Sequence, residues 1–227
     1  MVSAIIVAAG RSERMGTGTD KAFLSLGPKP VVVWSLLAFE DSADIDKIVL
    51  VVRREQMVAA KAVVQMFGLS KVSEIVAGAG RRQDSVAKGL ASLAPETRIV
   101  VIHDGARPCV TAELIAETIK AAQKTGCGVA ANRIVDTVKH VERGTVVDHT
   151  VDRTKLWAVQ TPQAFKLDLL LRAYQKVEAE GVTVTDEAAA VELLGEPVRL
   201  VEWQKPNVKI TTVDDLAVAA ALLRING

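Results

Sequence analysis

Residues 3–10 read Ser3-Ala4-Ile5-Ile6-Val7-Ala8-Ala9-Gly10, a short apolar run closed by glycine. A strand buried on both faces reads this way, because a sheet covered by helices on both sides leaves no polar face to alternate with. Similar runs recur at 47–52 (KIVLVV), 72–77, 98–102 (RIVVI) and 128–131. Helical spacing of apolar and small residues fills the intervals at 31–39, 55–67, 83–93 and 112–124. Strands alternating with helices predict an α/β fold, a mostly parallel twisted sheet with helices on both faces.

Residues 136–149 break the pattern. Val138, Val141, Val146 and Val147 stand among polar residues, with Arg143-Gly144 as a turn. The spacing predicts an antiparallel hairpin. One hairpin is marginal alone, so this arm, about 136–150, is expected to pack on something, a second copy of the chain being the obvious candidate. Helices are expected at 167–180 and 186–194, a strand at 198–201 and a closing helix at 213–224. No repeat or linker interrupts residues 1–227, which read as one domain with a projecting arm.

The chain has 227 residues, 49% hydrophobic and 24% charged, enough for one real core. Its 28 basic and 27 acidic residues leave a net charge of +1. That balance argues against a nucleic-acid or membrane-surface binder, which needs a basic excess. Cys109 and Cys127 are too few for a disulfide scaffold and read as buried free thiols. The N-terminal apolar run is too short for a signal peptide or membrane span, so a cytoplasmic protein is expected.

In open α/β sheets ligands sit beyond the carboxyl ends of the strands, so the segments after each strand carry the chemistry. After the first come Ala8, Ala9, Gly10, Arg11, Ser12, Glu13, Arg14 and, further on, Lys21. Small residues let loop N–H groups cradle a phosphate, and Arg14 and Lys21 add fixed positive charge. Neither a Walker A spacing nor a dinucleotide fingerprint is present, and the segment alone reads equally as a surface loop. After the third strand, Gly78-Ala79-Gly80 opens a helix bearing Ser85. Backbone groups and Ser85 could read the edge of a base there, or the segment is a tight turn with Ser85 merely exposed. After the fourth comes His103-Asp104-Gly105-Ala106-Arg107. An acid at a strand end before glycine commonly holds a ribose hydroxyl or Mg²⁺. Arg107 could balance it structurally, and His103 reads as a structural strand-end residue. Arg153 and Lys209 stand in apolar or hydroxyl-rich settings, where a charge has a ligand or a partner, Asp152 or Asp214 being the nearest by sequence. His103, His140 and His149 show no zinc spacing with the cysteines.

Taken together, AAG-x-x-x-RM, Lys21, GAGRRQDSV, HDGARP, DT-x-K, TVDR, QTPQ-x-F, TDEA and NVKIT resemble, in this order, the motifs of the 2-C-methyl-D-erythritol 4-phosphate cytidylyltransferase family of non-mevalonate isoprenoid synthesis. The resemblance runs from Ala4 to about Leu222. It implies a Rossmann-like nucleotidyltransferase fold, use of CTP and Mg²⁺, and a homodimer whose β-arm hooks over the partner. It implies that Ala8, Ala9 and Gly10 hold CTP and that Arg14 and Lys21 stabilise charge on its α-phosphate. Ala79, Gly80 and Ser85 match positions near cytosine. Asp104 matches the acid near ribose and Mg²⁺, and Gly105 its neighbour. Thr137, Arg153 and Thr161 match the acceptor side, reached from the partner subunit; Arg107 is expected to bind substrate as well, and Lys209 matches the lysine positioning both phosphates. Ser12, Asp20 and Ala79 depart from the family pattern. Ala79 would be costly if its backbone required a positive φ. The expected reaction is in-line attack of the methylerythritol phosphate on the α-phosphate of CTP. The alternatives are a ribitol 5-phosphate cytidylyltransferase and, more distantly, a non-catalytic nucleotide-binding scaffold.

Overall fold

A computed structural model describes residues 1–10 and 21–225. The sheet begins with β1 (Val2–Ala8), which lies between β4 (Lys47–Val52) and β6 (Ile99–Asp104) and is parallel to both. Two short strands, β2 (Ser25–Leu26) and β3 (Lys29–Pro30), form a separate small hairpin before β4. Beyond β4 lies β5 (Val72–Ala77), also parallel. The other flank continues through β10 (Trp157–Lys166) to β7 (Cys127–Arg133) and β11 (Leu200–Glu202), giving the order β11-β7-β10-β6-β1-β4-β5.

Alternation along β1 explains why an unbroken apolar run is needed. Ala4, Ile6 and Ala8 enter one core with α1 (Val31–Glu40), α2 (Met57–Met66) and α4 (Ala112–Thr125). Ile5 and Ala9 enter the opposite core with α3 (Arg82–Ala91), α5 (Leu167–Glu180) and α6 (Glu187–Leu193). Ile5 and Ile6 are both fully buried, and each such side chain contributes about 2 kcal/mol. A closing helix, α7 (Asp214–Leu222), sits beside a smaller cluster that includes Leu26, Val31 and Ile210.

Chain direction changes at β1. The path β1, β4, β5 moves one way across the sheet, and β6 lies on the other side. The carboxyl ends of β1 and β6 therefore flank a topological switch point, where ligands bind in open α/β sheets. Gly105 N–H donates to the Val7 carbonyl at 2.9 Å, and Gly78 N–H to that of Val52 at 2.8 Å. These bonds tie the segment after β6 to β1 and the segment after β5 to β4 at that end.

The sequence reading is corrected in three places. Residues 157–166 form a long interior strand, antiparallel to β6 and β7, where only a motif was noted. A proline argues against an interior strand because it cannot donate to the ladder. Here Pro162 falls where the register with β7 shifts, between Val159 and Gln163, and pairing with β6 begins only at Gln163. The strand expected at 98–102 runs on to Asp104, so His103 and Asp104 belong to the sheet. The hairpin at 136–149 pairs only through β8 (Val138–His140) and β9 (His149–Val151). Gly144 at its turn has φ +68°, and residues 141–150 are all exposed.

Candidate active site

A cavity opens at the switch point. Its floor is Val7 to Gly10 at the end of β1; Lys21 and Ala22 stand on one wall, Ala79 to Arg82 and Ser85 on another, and Asp104 and Lys209 close it. Every nucleotide-side residue expected from the sequence thus lines one space, except Gly105, which is a neighbour, and Arg14. Arg14 lies outside the described residues, as do Ser12 and Asp20. Gly105 packs beneath the loop, where an added Cβ would sit 3.2 Å from Ala8 Cβ.

The Gly78–Arg81 turn is braced from inside. Ser85 is buried rather than exposed on its helix. Its hydroxyl accepts from Ala79 N–H at 3.0 Å and donates to the Arg81 carbonyl at 3.1 Å. Gly78 is required by close approach, since a Cβ there would lie 2.4 Å from Ala9 Cβ. Ala79 is not among the residues of positive φ, so the strain that alanine would carry in that region does not arise.

Asp104 is only 8% exposed and carries two cations. Arg82 Nε donates to Oδ1 at 3.1 Å and Lys209 Nζ to Oδ2 at 2.6 Å. Burial alone would raise the Asp104 pKa, but the charges of Arg82 and Lys209 outweigh it and hold the carboxyl well below its usual range. Arg107, read as the structural balance for Asp104, does not bond to it: its Nη1 donates to the Asn207 carbonyl at 2.7 Å. Lys209 pairs with Asp104 rather than Asp214. Arg82 in turn donates through Nη1 to both oxygens of Glu187, at 2.8 and 3.0 Å, and Tyr174 Oη donates to Glu187 Oε1 at 3.0 Å.

His103 is fully buried, and burial pushes its pKa down to about 3. The neutral ring bonds at both nitrogens: Nε2 donates to the Arg107 carbonyl at 3.3 Å, and Nδ1 accepts from the Thr161 hydroxyl at 3.1 Å. That hydroxyl also accepts from Asp104 N–H at 3.0 Å. Thr161 therefore spends most of its bonding capacity inside the protein.

A second cavity lies on the far side of Asp104. It is lined by Arg107, Gln160, Thr161, Gln163, Thr185 and Asp186, and it shares Arg82, Asp104 and Lys209 with the first. Asn207 fixes the near end of the Lys209 segment, donating to the Thr161 carbonyl at 2.8 Å and to Gln160 at 3.0 Å. Thr137 and Arg153 line neither cavity in this chain. Arg153 instead donates to the Val135 carbonyl. Among the described residues no group of three or more His, Cys, Asp or Glu side chains is placed to hold a metal.

Sequence reasoning missed Arg82, Gln163, Tyr174, Thr185, Glu187 and Asn207. Two signals were present. Arg81-Arg82 opens α3, and Thr185-Asp186-Glu187 precedes a run of small apolar residues, with Asp186 capping α6 by accepting from Ala189 N–H at 2.9 Å.

Solved structures share this architecture. A 4-diphosphocytidyl-2C-methyl-D-erythritol synthase from Anaerococcus prevotii superposes with a TM-score of 0.86 at 32% identity, covering 99% of this chain and 96% of that one. A 2-C-methyl-D-erythritol 4-phosphate cytidylyltransferase from Thermus thermophilus gives 0.79 at 32% identity, covering 97% and 98%. The fold is that of an α/β nucleotidyltransferase. Residues 2–225 match the family IspD, 2-C-methyl-D-erythritol 4-phosphate cytidylyltransferase. Relatives of that name from Pelotomaculum thermopropionicum and Geobacillus kaustophilus are 44% and 42% identical, over 98% and 97% of this chain and 94% and 96% of theirs. The chain belongs to the 2-C-methyl-D-erythritol 4-phosphate cytidylyltransferase family, and is an enzyme of the cytidylyltransferase class.

Proposed function

We propose that this chain transfers the cytidylyl group of CTP to 2-C-methyl-D-erythritol 4-phosphate, giving 4-diphosphocytidyl-2-C-methyl-D-erythritol and pyrophosphate for isoprenoid precursor synthesis. The observation that carries this reading is that two cavities meet at one wall made of Arg82, Asp104 and Lys209. CTP occupies the first, its phosphates over Ala8, Ala9 and Gly10, its base toward Ala79, Gly80 and Ser85, and its ribose toward Asp104 and Gly105. The methylerythritol phosphate occupies the second, toward Arg107 and Thr161, with Thr185 added to that wall.

An oxygen of the acceptor phosphate attacks the α-phosphorus as the bond to pyrophosphate breaks, and the electron pair leaves with pyrophosphate. A phosphate dianion needs no general base, which fits a site whose one buried histidine is neutral and bonded inward. The work left to the protein is positioning and charge stabilisation. Lys21, Lys209 and Arg14 supply it, each worth roughly 3 kcal/mol of barrier. Among the described residues Asp104 is the sole acid on the walls of the first cavity. One carboxylate beside bound phosphates suits Mg²⁺, which binds through one or two carboxylates plus substrate phosphates. When bound there, Mg²⁺ would neutralise phosphate charge.

Thr137 and Arg153 belong to the acceptor side through a homodimer, the arm of one copy reaching the second cavity of the other. The exposure of Val141, Val146 and Val147 along the arm supports this. We read residues 1–227 as one domain with that arm, and as cytoplasmic on its two free thiols. No helix among the described residues is long and apolar enough to cross a membrane.

Pyrophosphate release from CTP and Mg²⁺ tests the reading, with methylerythritol phosphate or ribitol 5-phosphate as acceptor. Release with the first alone is expected. Release with ribitol phosphate alone would move the acceptor assignment, and silence with both from a folded protein that CTP still stabilises would favour a non-catalytic scaffold.

A further inference from the structure

We propose that Arg82 is a positioning residue, a fixed counter-charge on Asp104 that frees Lys209 to move onto the phosphates. The inference rests on the reading above and assigns a device within the same site. Asp104 is nearly buried, and an anion there must keep a cation. It has two, and they differ in freedom. Lys209 ends in a compact ammonium on a flexible stem, with 37% of its side chain exposed at the wall between the cavities. Arg82 is clamped. Its Nη1 meets both oxygens of Glu187, whose side chain is wholly buried and takes a further bond from Tyr174.

Geometry also says what Arg82 does not do. Its Nη2 is buried and, among the described residues, has no hydrogen-bond partner, so it offers no exposed donor to a ligand. The side chain acts through Asp104, to which Nε donates at 3.1 Å. With Arg82 present, Lys209 can leave its 2.6 Å contact with Asp104 and the carboxylate stays paired. Without Arg82, Asp104 has Lys209 as its one hydrogen-bonded cation among the described residues, with Arg107 acting on it only through space, so departure of the lysine would leave a nearly buried carboxylate without a bonded counter-charge. Lys209 is then held on Asp104 and withheld from the substrates.

A mutant cycle separates this from plain structural support. Arg82→Gln, Arg82→Lys, Lys209→Ala and Arg82→Gln/Lys209→Ala are compared by pyrophosphate release, with kcat and both KM values measured and folding checked by circular dichroism. Arg82→Gln is expected to lower kcat about tenfold, Arg82→Lys to restore part of it, and Lys209→Ala to lower it about a hundredfold. The double variant should match Lys209→Ala within about twofold, because no lysine remains to be released. Should Arg82→Gln not fold with Glu187 unpaired, Arg82→Gln/Glu187→Gln takes its place, alone and with Lys209→Ala. A kcat unchanged by Arg82→Gln, or losses that multiply in the double variant, overturns the inference while leaving an active wild type and the functional reading intact. A wild type that releases no pyrophosphate overturns both.

Discussion

Thr161 is a residue whose bonding can be read only in three dimensions. The family resemblance puts it on the acceptor side, reached from the partner subunit, whereas here it stands on the wall of this chain's own second cavity. Its hydroxyl, however, joins Asp104 N–H to His103 Nδ1. Thr161→Val keeps the shape and leaves both partners unsatisfied, so a loss of about 1–3 kcal/mol of stability is expected, read as a lower denaturation midpoint. Lys21 is the opposite case, a cation lining the first cavity and proposed to act in the reaction itself. Lys21→Ala should lower kcat about a hundredfold while changing the KM for CTP far less, and kinetics that shift only KM would remove its role.

At the next level, the turn between β5 and α3 is held by tight contact rather than by special dihedrals. Gly78 touches Ala9 so closely that a methyl there meets it at 2.4 Å, whereas a Cβ on Gly80 meets nothing within 4 Å. Gly78→Ala should therefore cost about 1–3 kcal/mol and raise the KM for CTP, with Gly80→Ala as the benign control in the same melts. If the two behave alike, the strand-end contact is not what shapes this turn. The α6 start works by capping. Asp186 caps the helix and also accepts from Gln163 Nε2 at 2.9 Å, so one residue ties α6 to β10 beside the second cavity.

Across the whole molecule, the question is how many chains make one site. Thr137 and Arg153 stand apart from both cavities in one chain, and a partner-supplied Arg153 has a direct test. Lys21→Ala and Arg153→Ala proteins, each nearly inactive, should regain activity when their subunits are exchanged, since a mixed dimer holds one site with both residues intact. No recovery after verified exchange would place Arg153 outside the partner's site. Cys109 and Cys127 give a second check on the closed core. Burial pushes the Cys109 thiol up to about 11 and raises that of Cys127. Both should resist a thiol reagent at neutral pH until the protein is unfolded.

The sequence by itself determined most of the parallel strands, because a strand covered on both faces must be apolar throughout, as 47–52 is to within its first residue; the edge strand 72–77 was legible to the residue as well, although it carries exposed Ser73 and Glu74. It also brought most of the residues expected on the nucleotide side to one cavity, because chemistry in an α/β sheet collects at strand ends and most of them stand at the ends of β1, β5 and β6. Only the tertiary structure decided the antiparallel course of β10, where a register shift absorbs Pro162 that local rules would have excluded. Only it could pair Arg82 with Glu187, 105 residues away, since nothing local marks which buried acid a half-buried guanidinium will meet. Short-range periodicity reports which side of an element is covered. Which charge neutralises which is settled by packing, once burial has made an unpaired charge too costly to keep.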